Sequence, residues 1–273
     1  MDLAHALLLI VAGIAGGTIS SLVGGAALVT YPALLAIGLP PVTATVCNLV
    51  ALSPGNLLAA LYDRTQLPAL NRSFAGLVLA SVLGALAGAI VLLRTPERAI
   101  EILVPLLLGF ATVLFAYAGR ISAFLRARAG DQDKSPHRWE HSIGVILPVS
   151  FYGGYFGAGV GVLLLGVLSI GKPGDYRAAN VTKNLVTSLN SLVAAALFVV
   201  QGVVLWTPTL IMMAGALVGA VIGARLAQIA PHAVMRIVVV AIGALLTVIF
   251  AWRYWLLPPI WRPQGHATFG IGY

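Results

Sequence analysis

Acid is what this chain has least of: eight of its 273 residues are Asp or Glu, and none lies beyond Asp175. One cysteine, Cys47, excludes an internal disulfide, and five histidines, lying mostly in termini or connecting segments, lead to no expected metal centre. The sequence offers no recognisable catalytic constellation, so neither an enzyme nor a cofactor is expected. Charged residues amount to 9% and aromatics to 8%, against 60% hydrophobic. With a mean hydropathy of +0.99, this composition excludes an ordinary soluble domain. The formal net charge of +8 raises nucleic acid as a partner, but the basic residues are scattered over connecting segments without interleaved aromatics, so none is expected.

What is present is apolar length. A span needs about 20 apolar residues to cross a hydrocarbon core of about 30 Å. Eight blocks qualify: 4–37, 41–61, 70–93, 99–119, 141–170, 176–200, 207–227 and 233–257. The chain therefore reads as an all-α, multi-pass protein with the lipid bilayer as its solvent. The start "MDLAHALLLIVAGIAGG" has an acid where a cleavable signal carries basic residues, so it is expected to be retained.

The blocks repeat. A shift of 135 brings Ser53 onto Ser188, Gly84 onto Gly219, Gly88 onto Gly223 and Thr112 onto Thr247, and a shift of 133 aligns "SLVGGAALV" (21–29) with "GYFGAGVGV" (154–162). The expected organisation is a first four-segment transmembrane repeat (1–119), a charged cytoplasmic linker (120–140), a second repeat (141–257) and a polar tail (258–273). The opening block of each half is too long for one span, at 34 and 30 residues, and carries Gly24 and Gly25 or Gly157 and Gly159 near its middle. Each is expected to be a Gly-rich broken or re-entrant hairpin of two half-helices, which inverts the second repeat relative to the first. Loop charge agrees. With Lys183 left out, eight full crossings divide the basic residues 9 to 6 across the membrane, and the re-entrant arrangement divides them 11 to 4. "GALAG" (84–88) and "GALVGAVIG" (215–223) are small-residue runs for close helix packing within or between subunits, and packing between subunits would give a homodimer.

The polar residues inside the blocks are the candidates for function. On a helix, Asn180, Asn184, Thr187, Ser188 and Ser191 form one face, edged by Lys183 and Asn190. A charged side chain at mid-helix costs roughly 2.5–3.5 kcal/mol on insertion scales. No acid shares the block of Lys183 or follows it in the chain, so the expected counter-charge is an anionic cargo; the alternative is a side chain that snorkels back to the interface near Asp175. The matched position in the first half is Asn48, followed by Ser53, Pro54 and Gly55, which are expected to kink or unwind the helix and free carbonyls near Val50 and Ala51. The expected substrate-binding set is Lys183, Asn48, Ser53, Thr187, Asn190, Asn184, Gly24, Gly25, Gly157 and Gly159 around a small anionic substrate, with no metal.

The strings "GGTISSLVGGAALVTYPALLAIGLPPVTATVCNLVA" (16–51) and "YGGYFGAGVGVLLLGVLSIGKPGDYRAANVTKNLVTSLNSLVAAALFVVQGVVLW" (152–206) resemble the TauE/SafE family of sulfite-exporter-like membrane proteins. The resemblance implies a bacterial inner-membrane transporter of sulfite, sulfonates or related organosulfur anions, with Asn48 and Lys183 at the two motif positions. The expected function is export of such an anion by alternating access between the repeats, with a passive anion channel or a membrane scaffold or assembly protein as alternatives.

Overall fold

The computed structural model describes residues 1–22, 24–68, 71–117, 120, 138–171, 176–226 and 232–256. Residues 121–137 of the expected linker and the expected tail 258–273 lie outside them. Among the described residues the protein is all-helical, with ten α-helices: α1 Leu3–Leu22, α2 Ala27–Ala36, α3 Pro41–Tyr62, α4 Arg72–Arg94, α5 Glu97–Ala116, α6 Arg138–Tyr155, α7 Val160–Gly171, α8 Tyr176–Val200, α9 Trp206–Leu226 and α10 His232–Ala251. Six of these elements are long and apolar enough to cross a membrane, in α1, α3, α4, α5, α8 and α9. Large apolar side chains such as Leu3, Val11, Leu79, Leu245 and Val248 face outward, as a bilayer solvent requires. This is a multi-pass membrane protein.

Each long opening block is two helices joined at a glycine. Gly24 sits at φ +88° and Gly157 at φ +79°, a left-handed conformation that side chains rarely adopt. There the chain turns: the Gly24 amide donates to Ile19 O at 3.1 Å, and the Gly157 amide donates to Tyr152 O at 3.1 Å. The arms differ in length, however. α1 has 20 residues and α6 has 18, whereas α2 has 10 and α7 has 12. At about 1.5 Å per residue only the second arms are half-helices.

The two largest helix contacts are α1 on α9 and α4 on α6. Both rest on glycine. A Cβ added at Gly84 or Gly88 would lie 2.4 Å from Leu147 O or 2.0 Å from Phe151 O, and one at Gly219 or Gly223 would lie 2.1 Å from Ile14 O or 2.6 Å from Thr18 O. The small-residue runs are thus consumed inside the subunit, where they let backbones touch. In α3 against α8, Ser188 Oγ donates to Ser53 O at 3.2 Å and Arg177 Nη2 donates to Asp63 Oδ1 at 3.0 Å. Rising numbers on one helix meet falling numbers on the other, so α3 and α8 run antiparallel. The same holds for α5 and α10, where Gly109 meets Thr247 and Gly243 meets Thr112.

The unwinding expected at Pro54 does not occur: α3 runs through it as continuous helix. Proline deprives Val50 O of its usual amide partner, and the Ser53 hydroxyl replaces it by donating to that carbonyl at 2.9 Å.

Candidate functional site

Where the tips of the two hairpins meet, glycine faces glycine: a Cβ on Gly24 would fall 2.5 Å from the Gly161 Cα, and one on Gly161 would fall 2.5 Å from the Gly24 Cα. Backbones this close leave no room for side chains. Beside this contact lies a cavity of about 30 Å³, walled by α3, α8 and both tips. That volume suits one or two water molecules. Its polar lining comes from Ser20, Asn48, Asn56, Thr187, Asn190 and Ser191, and no carboxylate lines it.

The orientation of the asparagines decides what this lining offers. The carbonyl oxygen of each is already claimed by a hydroxyl. Ser20 Oγ donates to Asn56 Oδ1 at 2.6 Å, Thr30 Oγ1 donates to Asn48 Oδ1 at 2.5 Å, and Ser81 Oγ donates to Asn190 Oδ1. With the acceptor end of each amide engaged, its Nδ2 hydrogens are what remain. Among the described residues, Nδ2 of Asn48 and of Asn56 makes no hydrogen bond, whereas Asn190 gives one of its two hydrogens to Ser150 Oγ at 3.1 Å. Thr187 Oγ1 is buried without a hydrogen-bond partner. Such a cavity presents donors, so it suits an acceptor-rich guest and disfavours a cation.

Lys183 is 1% exposed, so it does not reach bulk water. Its Nζ donates to Ser20 O at 2.8 Å. Among the described residues no carboxylate pairs with it, the recorded ion pair being Arg177 with Asp63. Ser20 and Ser21 belong to the last turn of α1, whose carbonyls have no partner within the helix and carry the negative end of its dipole. Asn180 Nδ2 and Asn184 Nδ2 converge on Ser21 O at 3.1 and 3.5 Å. One face of α8 therefore caps the end of α1.

The ten residues expected around a substrate divide accordingly. Asn48, Thr187, Asn190, Gly24 and Gly157 line the cavity together, while Lys183, Asn184, Ser53, Gly25 and Gly159 stand outside its lining. Lys183 and Asn184 hold the α1 end, and Ser53 meets Ser188. Gly25 packs against the Phe115 ring and Gly159 against Ala111. Ser20, Asn56 and Ser191 were missing from the expected set. Asn56 had a usable signal, because it lies two turns after Asn48 on the same helix face; Ser20, in the first arm of the hairpin, had none.

The family model described as "Sulfite exporter TauE/SafE" matches residues 9–250. The chain is 31% identical over 274 residues to a "Probable membrane transporter protein ORF9" of Sinorhizobium sp, covering 93% of this chain and 98% of that protein. It is 27% identical over 258 residues to a "Probable membrane transporter protein" of Haemophilus influenzae, covering 90% and 95%. It is also 25% identical over 236 residues to "Probable membrane transporter protein YfcA" of Escherichia coli K12, covering 85% and 84%. No solved structure matches.

Proposed function

The chain belongs to the sulfite exporter TauE/SafE family, and from that premise we propose that it carries a small sulfur oxyanion or sulfonate across the bacterial inner membrane through the cavity between the hairpin tips. The observation that carries this reading is the orientation of Asn48, Asn56 and Asn190, each with its oxygen tied to a hydroxyl and amide hydrogens left over. Together with the unpartnered Thr187 hydroxyl they offer the cargo neutral donors, each worth roughly 1.5–3 kcal/mol toward a charged acceptor. Lys183 adds a positive charge one turn before Thr187, behind the wall and against Ser20.

The transport cycle we propose is alternating access between two inverted four-segment repeats. Partner exchange supports the duplication: Gly84 on Leu147 and Gly88 on Phe151 become, at shifts of 135 and 133, Gly219 on Ile14 and Gly223 on Thr18. The antiparallel courses of α3 with α8 and of α5 with α10 support the inversion. A cavity of about 30 Å³ supports movement as well, since a polyatomic anion enters only when the tips part. Outward movement of an anion gains about 2.3 kcal/mol per charge from a cytoplasm 100 mV negative, which favours export.

Thermal unfolding of the purified protein across sulfite, thiosulfate, sulfoacetate, taurine, sulfate and carboxylates tests the binding. A sulfur oxyanion or sulfonate is expected to stabilise it, and Asn56→Asp, of the same shape but with an anionic oxygen in place of a donor, to abolish the response. An undiminished response in Asn56→Asp removes the cavity from the site. Saturable counterflow in proteoliposomes separates a carrier from a pore.

A further inference from the structure

The end of α1 is built like a cation site. Helix α1 stops at Leu22, so the carbonyls of Ile19, Ser20 and Ser21 point beyond it without intrahelical partners. The Gly24 amide takes the first. The other two face α8, where Lys183 Nζ donates to Ser20 O and the amide nitrogens of Asn180 and Asn184 both donate to Ser21 O. The opposite ends of those two side chains, Asn180 Oδ1 and Asn184 Oδ1, have no hydrogen-bond partner although the residues are only 6% and 3% exposed. Two backbone oxygens thus stand at the negative end of a helix dipole, and a half-turn of either amide would bring an oxygen to join them; neutral oxygens of this type hold hard monovalent cations.

In carriers built on broken helices, the carbonyls at the C-terminal end of a helix segment coordinate the coupling Na⁺. Here the Lys183 amino group already stands on one of them, its Nζ 2.8 Å from Ser20 O. We propose that Lys183 is a tethered cation: its ammonium fills the place of a coupling ion on the α1 terminus and holds the first hairpin to α8, so neither binding nor transport requires Na⁺. The transport half rests on the carrier reading above. The binding half concerns only cation, lysine and carbonyl oxygens, and is independent of the cargo.

Removing the side chain beyond Cβ should turn the tethered site into an open one. Purified wild type and Lys183→Ala are compared by thermal unfolding in Na⁺, Li⁺, K⁺ and N-methylglucamine chlorides at one ionic strength, with no oxyanion present. Wild type is expected to unfold at the same temperature in all four. Lys183→Ala should unfold earlier and recover by roughly 5 °C in one small alkali cation over N-methylglucamine, and adding Asn180→Leu should erase the recovery. A wild-type protein that prefers Na⁺, or a Lys183→Ala protein indifferent to every cation, overturns the proposal. Should Lys183→Ala fail to fold, wild-type anion counterflow with Na⁺ replaced on both sides by N-methylglucamine carries the test: an unchanged rate is expected, and a tenfold loss refutes it. Absence of any anion response, with the cation results as expected, counts against the proposed cargo and leaves the tethered cation standing.

Discussion

The two hairpin tips share a backbone and differ in what closes them. At both, a positive-φ glycine donates its amide five residues back, Gly24 to Ile19 and Gly157 to Tyr152. At the first tip the remaining carbonyls are held by Lys183, Asn180 and Asn184 from α8. At the second, the closing bond is local, with Tyr152 OH donating to Ala158 O at 2.6 Å. Asn48 occupies the position that a shift of 135 assigns to Lys183, and it bonds Thr30 of the neighbouring α2, not the opposite hairpin. Backbone geometry is shared between the halves, and a charge enters at only one of the two equivalent places.

The largest effects should fall where the two halves are alike. Gly88→Ala and Gly223→Ala each drive a Cβ into a backbone carbonyl on the facing helix. Each is expected to cost about 3 kcal/mol or more in thermal unfolding, because backbone yields less readily than a side chain. A harmless outcome at one position and a severe one at the other breaks the equivalence of the two crossings.

Lys183→Met and Asn48→Leu sharpen the contrast between the tips. The lysine change strips a helix terminus of its cap and should cost about 2 kcal/mol. At Asn48 the cost should be nearer 1 kcal/mol, since Thr30 Oγ1 also bonds Ala26 O, while anion affinity suffers more. Opposite rankings, read by unfolding for stability and by anion-induced stabilisation for binding, would mean that the asparagine is the structural member of the pair.

Asp63→Asn weakens the exposed pairing of Arg177 across the ends of α3 and α8. The loss should be no more than about 1 kcal/mol and should shrink in high salt, as for other exposed ion pairs. Smallest of all is Thr187→Val. Its hydroxyl has no partner to lose, so stability should stay within about 0.5 kcal/mol of wild type while anion affinity falls roughly tenfold.

Much of the architecture was legible because it follows from local composition. Gly24 and Gly157 marked the turns within the two long blocks, and the shift that paired Ser53 with Ser188 named residues that touch. Pro54 misled, since its effect depends on whether a nearby hydroxyl can serve the orphaned Val50 carbonyl, and Ser53 does so. Ser20 was missed because its role comes from a contact 36 residues away in sequence.

The amino-acid order alone determined that the chain dissolves in lipid, where its apolar blocks fall, and that no acid follows Lys183 in the chain. Hydropathy and turn chemistry are carried by neighbouring residues, so they can be read in one dimension. Only the tertiary structure decided what that lysine holds. Its partner is a main-chain carbonyl, which every residue possesses and no letter distinguishes, exposed because α1 ends there and brought within reach because α8 packs beside it.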